Sequence, residues 1–352
     1  MILILGYGMI GSIIAKELSE KYDVVVIDKR KIEDPALKKI LIGDVFDFPD
    51  LIDKAEVIIS ALPAKGTYEI ISKLLSKGKK VIDISSMPED PMNLNEIATK
   101  EKGLLIPQAG YSPGLTNLIS GYFYKKYRPK TIEIRDGGLP IRKVPPLDYT
   151  ITWSVSSLIN MYLRPARIVK NKKIVTVDPL ENIEQRNVPE IGDLETIYID
   201  SLKTLLHTLK DVDNMFVQAY RYPGHLQKIK FLRDMGYFSE TAINGCSPRS
   251  ISEELFQSKL KMNIEDLSIL EVRAFGNIEK EIRYIDYFDK TKNITSMARM
   301  TGFPPVVLTE LLVENKIDRV GVAPLEYFGF DESTFNEIMK RLRNRGLNIR
   351  IA

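Results

Sequence analysis

The sequence predicts an α/β protein that opens with a doubly wound parallel sheet, and three observations carry that expectation. Short, wholly apolar runs alternate with stretches of helical spacing through the first third of the chain. A glycine cluster stands at the junction of the first run and the first helix. An aspartate ends the second run.

Ile2 to Leu5 is apolar throughout, as a parallel strand covered on both faces requires. It enters Gly6-Tyr7-Gly8-Met9-Ile10-Gly11, after which Ile13, Ile14 and Leu18 give helical spacing to about Glu20. Val24 to Ile27 is a second run, closed by Asp28. Glycine clusters alone are common in turns. Between a strand and a helix, with an acid ending the next strand, the pattern is the Rossmann dinucleotide fingerprint. Gly6 serves the tight turn, Gly8 the approach of a pyrophosphate and Gly11 close helix–strand packing. The helix start offers free N–H groups to phosphate at Tyr7, Met9 and Ile10. Asp28 favours NAD by accepting ribose hydroxyls; Lys29 and Arg30 make NADP possible.

A short strand ends at Gly43-Asp44, followed by a run from Val57 to Ala61, a helix from Glu69 to Leu75, and strands at Val81 to Ile84 and Leu104 to Pro107. Ligands of open α/β sheets lie at the carboxyl ends of strands. That places Asp44, Val45, Ala61, Leu62, Pro63, Asp83 and Ser85 beside the dinucleotide, with Ser86 on the substrate side. A loop, Gln108-Ala109-Gly110-Tyr111-Ser112-Pro113-Gly114, leads to a helix from about Leu115.

Composition bounds the function classes. At 352 residues and 44% hydrophobic content the chain supports roughly two domains. A net charge of +3 argues against nucleic acid as partner. One cysteine, Cys246, and two histidines, His207 and His225, are too few for a Cys- or His-based metal centre, so no metal is expected. Cys246 reads as a buried apolar group. No stretch reaches the ~18 apolar residues of a membrane span. A cleaved leader is not expected, because it would remove the Gly6 loop, and a cytoplasmic setting follows.

Past residue 108 the chain resembles a known family. AGYSPGLTNLISGY (109–122) resembles the segment closing the Rossmann domain in the saccharopine dehydrogenase-like superfamily. GGLPIRKVPPLDYTITWSVSSLINMYLRPARIV (137–169), RYPGHLQKIKFLRDMGYF (221–238) and SMARMTGFPP (296–305) resemble lysine 6-dehydrogenases. The resemblance implies a Rossmann domain at 1–118 with a returning segment at 293–352, and an α+β substrate and dimerisation domain with a mixed sheet at 119–292. It also implies a homodimer. Strand-like alternation at Thr150 to Trp153 and Lys173 to Val177, and helical spacing at Ile199 to Leu209, Leu226 to Met235, Asn293 to Glu314 and Thr334 to Arg345, agree with that plan.

The activity implied is NAD(P)-dependent oxidative deamination of the ε-amine of L-lysine, a small amino-acid substrate. Saccharopine reductases carry an Asp, a Cys and a Tyr where this chain has Ser112, Asp136 and Ser86. Saccharopine reductase and carboxyspermidine-type dehydrogenase nevertheless stay open as readings, as does a non-catalytic nucleotide sensor.

Amine oxidation needs a proton acceptor. The candidates are Asp136, beside the Gly137-Gly138 turn, and His225 in the Arg221-Tyr222-Pro223-Gly224-His225 loop. Arg221 offers a bidentate donor for the α-carboxylate. Tyr111, Ser112 and Gly138 complete the substrate side. Each has an ordinary alternative: Asp136 paired with Arg135 or Arg142, His225 a satisfied structural histidine, Arg221 a salt bridge, Tyr111 plain packing. Trp153 reads as core or interface, His207 as structural, and Lys125-Lys126 and Lys170 to Lys173 as solvated surface.

Overall fold

A computed structural model describes residues 1–151, 154–262, 264–276 and 278–350. In chain order the elements are β1 (Ile2–Leu5), α1 (Met9–Ser19), β2 (Val24–Asp28), β3 (Ile40–Ile42), α2 (Pro49–Lys54), β4 (Val57–Ser60), α3 (Thr67–Leu75), β5 (Lys80–Asp83), α4 (Asn95–Lys100), β6 (Leu104–Ile106), α5 (Leu115–Tyr127) and β7 (Thr131–Pro140). Then come α6 (Val155–Leu163), β8 (Ala166–Lys170), β9 (Lys173–Val177), β10 (Glu184–Val188), β11 (Gly192–Tyr198), α7 (Leu205–Thr208), β12 (Asn214–Arg221), α8 (His225–Asp234), α9 (Pro248–Leu260), β13 (Asp266–Phe275) and β14 (Lys280–Tyr287). The chain closes with α10 (Ser296–Val313), β15 (Gly321–Val322), α11 (Leu325–Gly329) and α12 (Glu332–Asn344).

Two compact units result. The first takes residues 1–128, 203–209 and 298–349; the second takes 129–202 and 210–297. The boundary lies past residue 118 because α5 runs unbroken to Tyr127. The first unit is a seven-stranded sheet in the order β15-β6-β5-β4-β1-β2-β3, parallel at every pairing. The order reverses beside β1, and that reversal opens a crevice at the strand carboxyl ends. β1, β2 and β4 are buried along their whole length, as their unbroken apolar runs predict. One core cluster joins Leu3, Leu5, Val25, Ile58, Val81 and Leu105 to Ile71 and Leu75 of α3. α12 packs Phe335, Ile338, Met339 and Leu342 inward, the stripe its spacing predicts.

The second unit is a mixed sheet in the order β10-β11-β12-β7-β13-β14, with β8 pairing β12 and β9. β12 and β7 are parallel and the other pairings antiparallel. Two expected elements are corrected. Thr150 and Ile151 form no strand; they bond to the Leu260 carbonyl through Thr150 Oγ1 (3.1 Å) and the Ile151 N–H (2.9 Å), while Thr152 and Trp153 lie outside the described residues. The expected helix over Ile199 to Leu209 is a single turn, α7, because the Ile199 N–H continues the ladder to the Val217 carbonyl. Cys246 is exposed rather than buried: it stands in the loop joining α8 and α9, outside either sheet's core. No helix of the described residues is long and apolar enough to cross a membrane.

Candidate functional site

The β1–α1 turn is built by its glycines. Gly6 has φ of +93°, and a Cβ there would meet the Ala61 carbonyl oxygen at 2.6 Å. A Cβ on Gly11 would come within 2.2 Å of the Gly6 oxygen, so this glycine sets how closely α1 packs on the turn. Gly8 differs: a Cβ there would meet nothing within 4 Å. It is the N-cap of α1, it provides no side-chain cap, and the first turn holds no acidic residue. The helix start therefore offers uncapped N–H groups and a positive dipole end beside open space, which fits a diphosphate.

Asp28 closes the other side of this loop and is 8% exposed. Its Oδ2 accepts the Tyr7 N–H at 2.7 Å and Arg30 Nη2 at 3.0 Å. Its Oδ1 accepts the Arg30 N–H at 2.8 Å and Arg30 Nε at 3.0 Å. Burial works against the charge, but the Arg30 and Tyr7 bonds outweigh it and hold the carboxyl at about 2. Lys29 pairs with Asp44 at 3.3 Å, and the Tyr7 hydroxyl donates to Asp34 at 2.8 Å.

At the carboxyl ends of β4, β5 and β6 the polar groups turn inward. Asp83 is fully buried and accepts Ser85 N–H (3.1 Å) and Ser85 Oγ (2.8 Å), with Ser60 opposite it in register. Burial pushes its carboxyl up to about 7, against the pull of both serines. Gln108, 3% exposed with φ of +53°, has neither amide atom hydrogen-bonded among the described residues. Ala61 and Leu62 are half-buried, Pro63 and Ser86 exposed, and Val45 and Tyr111 buried. Asp44 caps the turn at Val45–Asp47, and Ser112 Oγ accepts from Thr116 at 3.3 Å.

In the second unit the register sorts charged residues between the faces of one sheet. Arg135 pairs with Gln218, and Asp136 with Ala219 and Leu270. Arg221 lies three residues past Gln218, so alternation puts it on the opposite face from Arg135 and on the face of Asp136 and Gly138. Arg135 meets Glu133 and Glu271, both at 2.9 Å. This removes the Asp136–Arg135 pairing that the sequence left open.

Arg221 is 3% exposed, and no carboxylate among the described residues lies within ion-pair distance of it. Its Nε donates to Tyr162 Oη at 2.8 Å and its Nη1 to the Tyr220 carbonyl at 2.6 Å; Nη2 lies 3.7 Å from Met161 Sδ. The guanidinium stacks over Tyr149 (4.7 Å) and Tyr162 (5.6 Å). Burial opposes its charge, but the potentials of Tyr162, Tyr149 and Asp136 hold it above the ordinary arginine value.

His225, the first residue of α8, is 1% exposed. Its Nδ1 lies 2.7 Å from the Leu147 carbonyl, which only accepts, so Nδ1 carries the proton. Nε2 then accepts from Tyr162 Oη at 2.8 Å, leaving that oxygen to receive Arg221 Nε. Burial, then the Arg221 charge, depresses the imidazole to about 3. His225 is thus neutral and bonded at both nitrogens. Its geometry is that of a support for Tyr162.

Glu195, opposite Arg221 in register, fixes the start of α8: its oxygens accept the Gly224 (3.1 Å) and Leu226 (2.6 Å) N–H groups. Ser268, opposite Gly138, is buried, and its Oγ has no hydrogen-bond partner among the described residues. Asp136, Arg221 and His225 therefore share one unit and one neighbourhood, whereas Tyr111, Ser112 and Ser86 belong to the first unit. Sequence reasoning missed Tyr149, Tyr162, Glu195 and Ser268: strand register places Glu195 and Ser268, and packing brings the rings of Tyr149 and Tyr162 to Arg221. His207 is half exposed and pairs with Asp90 at 2.8 Å.

A dinucleotide-type turn on a parallel sheet and a buried arginine on a mixed sheet define a two-unit α/β protein of the nucleotide-binding class. Residues 1–87 match the family described as NADP oxidoreductase, coenzyme F420-dependent. Residues 110–347, well over half of the chain, match the saccharopine dehydrogenase C-terminal domain. The chain belongs to the saccharopine dehydrogenase-like family of NAD(P)-dependent oxidoreductases. Saccharopine dehydrogenase [NADP(+), L-glutamate-forming] of Schizosaccharomyces pombe is 23% identical over 211 residues, 56% of this chain. The match spans 47% of that relative, about half its length. Among solved structures, apo saccharopine dehydrogenase (L-Glu forming) from Saccharomyces cerevisiae superposes with a TM-score of 0.80 at 17% identity, covering 100% of this chain and 99% of that one. Homospermidine synthase from Legionella pneumophila, in complex with NAD, gives 0.71 at 13%, covering 100% and 90%. At such identities the likeness is one of fold.

Proposed function

We propose that the protein is an NAD(P)-dependent amine dehydrogenase that oxidatively deaminates the ε-amine of L-lysine. The observation carrying this reading is Arg221, a buried cation without a carboxylate in ion-pair contact among the described residues. Burying an unpaired charge is costly, and a ligand carboxylate repays that cost. Among the described residues of the second unit the buried cations are Arg135 and Arg221, and Arg135 is already balanced by Glu133 and Glu271. One unbalanced cation suits L-lysine, with its single carboxylate, better than saccharopine, which has three.

Arg221 binds the α-carboxylate through the N–H groups not given to Tyr162 and Tyr220. Tyr162, held by His225, keeps the guanidinium in plane. Ser268 Oγ adds a donor beside Gly138. Asp136, on the same face, takes the proton from the ε-ammonium, because the amine carbon releases hydride only after that loss. Gly6, Gly8, Gly11, Asp28 and the start of α1 hold the dinucleotide, with Ala61, Leu62 and Ser85 along the strand ends. When bound, the dinucleotide supplies the hydride acceptor. Water then attacks the oxidised carbon, and ammonia and the semialdehyde leave.

The test is turnover of L-lysine with NAD+ or NADP+. Arg221→Ala raises KM for L-lysine about a hundredfold and leaves oxidation of 1,5-diaminopentane, which has no carboxylate, nearly unchanged. Rapid oxidation of saccharopine without turnover of L-lysine overturns the substrate assignment.

A further inference from the structure

We infer that Arg30 competes with the cofactor for Asp28 and thereby sets the choice between a dinucleotide with and one without a 2′-phosphate. This inference rests on the dinucleotide reading above and goes beyond it by naming the group that discriminates. An ionised carboxylate has about four acceptor positions. Asp28 uses all four: Oδ1 takes the Arg30 N–H and Nε, and Oδ2 takes the Tyr7 N–H and Arg30 Nη2. Two of these donors are backbone groups fixed by the turn. The other two belong to the Arg30 side chain, which is 67% exposed and also donates to the Tyr7 carbonyl at 3.2 Å.

A ribose diol brings two hydroxyl donors. They fit the two positions that the Arg30 side chain occupies, one on each carboxylate oxygen. An unphosphorylated ribose therefore binds Asp28 only as the guanidinium leaves. A 2′-phosphorylated ribose keeps one free hydroxyl and brings an anion, for which a planar fork of N–H groups is the preferred partner. Arg30 is then expelled from Asp28 and recaptured by the phosphate. Lys29, mostly exposed and 3.3 Å from Asp44, adds charge on the same side. The same displacement costs the NAD complex a contact and is repaid in the NADP complex, so the wild-type protein binds both.

The experiment is calorimetric titration of the whole protein and its Arg30→Ala and Arg30→Lys variants with NAD+ and NADP+. Arg30 is an exposed side chain, and a thermal melt controls for folding. Arg30→Ala weakens NADP+ binding about tenfold or more and tightens NAD+ about two- to fivefold, the size of an exposed ion pair. Arg30→Lys retains the charge without the fork and falls between. An unchanged ratio of the two affinities in Arg30→Ala overturns the inference while leaving the dinucleotide site standing. Binding of neither nucleotide by the wild type overturns the dinucleotide reading itself, and the inference with it.

Discussion

Arg135 and Arg221 are two arginines on one sheet, both withdrawn from water, and they face opposite ways. Arg135 sits between Glu133 and Glu271, and Glu271 in turn receives Arg283 Nε at 3.0 Å and the Tyr220 hydroxyl at 3.3 Å. Charge on that face is balanced within the chain. Arg221 is surrounded by aromatic rings, a hydroxyl and a carbonyl, and its charge is answered only at longer range. The contrast teaches that burial of a cation says little until its counter-charge is located. A balanced arginine reports on the fold; an unbalanced one leaves its charge open to a ligand, the role we propose for Arg221.

The largest expected effect sharpens the balanced side. Arg135→Met takes the shared cation from Glu133 and Glu271, leaving Glu271 only Arg283 as counter-charge, and lowers stability by about 3–5 kcal/mol in denaturant titrations. Adding Glu271→Leu recovers part of the loss. A cost below about 1 kcal/mol for the single variant would mean that the network is ornamental.

Arg221→Ala should do the reverse. It costs the carboxylate-bearing substrate about 3 kcal/mol of binding and leaves the denaturation midpoint level or slightly raised, since it removes an unbalanced buried charge. If this variant unfolds as Arg135→Met does, the contrast between the faces fails.

Asp83 extends the comparison to the first unit. Its folded carboxyl lies at about 7, well above its ordinary value of 3.8. The folded state therefore holds the proton more tightly than the unfolded chain. The stability this confers is complete below pH ~4 and is lost as pH rises through about 7, a difference on the order of 4 kcal/mol. Asp83→Asn should flatten that part of the stability–pH curve, measured by thermal melts between pH 4 and 8; an unaltered curve would show the carboxyl to be ionised throughout.

The smallest effect concerns Tyr162. Phe in its place removes the acceptor for Arg221 Nε and the donor to His225 Nε2. We expect KM for L-lysine to rise about tenfold with kcat changed little, as befits a positioning residue. A collapse of kcat with KM intact would place Tyr162 at the reacting atoms instead.

Much of the first unit was legible, because its function is written in the backbone. Gly6, Gly8 and Gly11 are separated by the turn geometry itself, and Asp28 lies at a fixed strand end. Local spacing is enough to find them. β15 was not legible: two residues carry no periodicity, and Gly321–Val322 becomes a strand only by lying beside Leu104–Leu105. In the second unit the family-like loop pointed to Arg221, but its setting depends on Tyr149, Tyr162 and Glu195, which register and packing assemble from distant stretches. His225 shows the limit most clearly. A histidine at a loop–helix junction looks the same in sequence whether its nitrogens meet substrate or, as here, Leu147 and Tyr162.

α5 is buried at every position from Leu115 to Phe123, and α11 presses so close that a Cβ on Gly121 would meet the Glu326 oxygen at 2.3 Å. For a chain made from its N-terminus, that cover arrives about two hundred residues late. At ordinary elongation rates α5 waits roughly 10–40 s for its partner. During synthesis this helix is a standing client for whatever shields apolar surfaces at the ribosome.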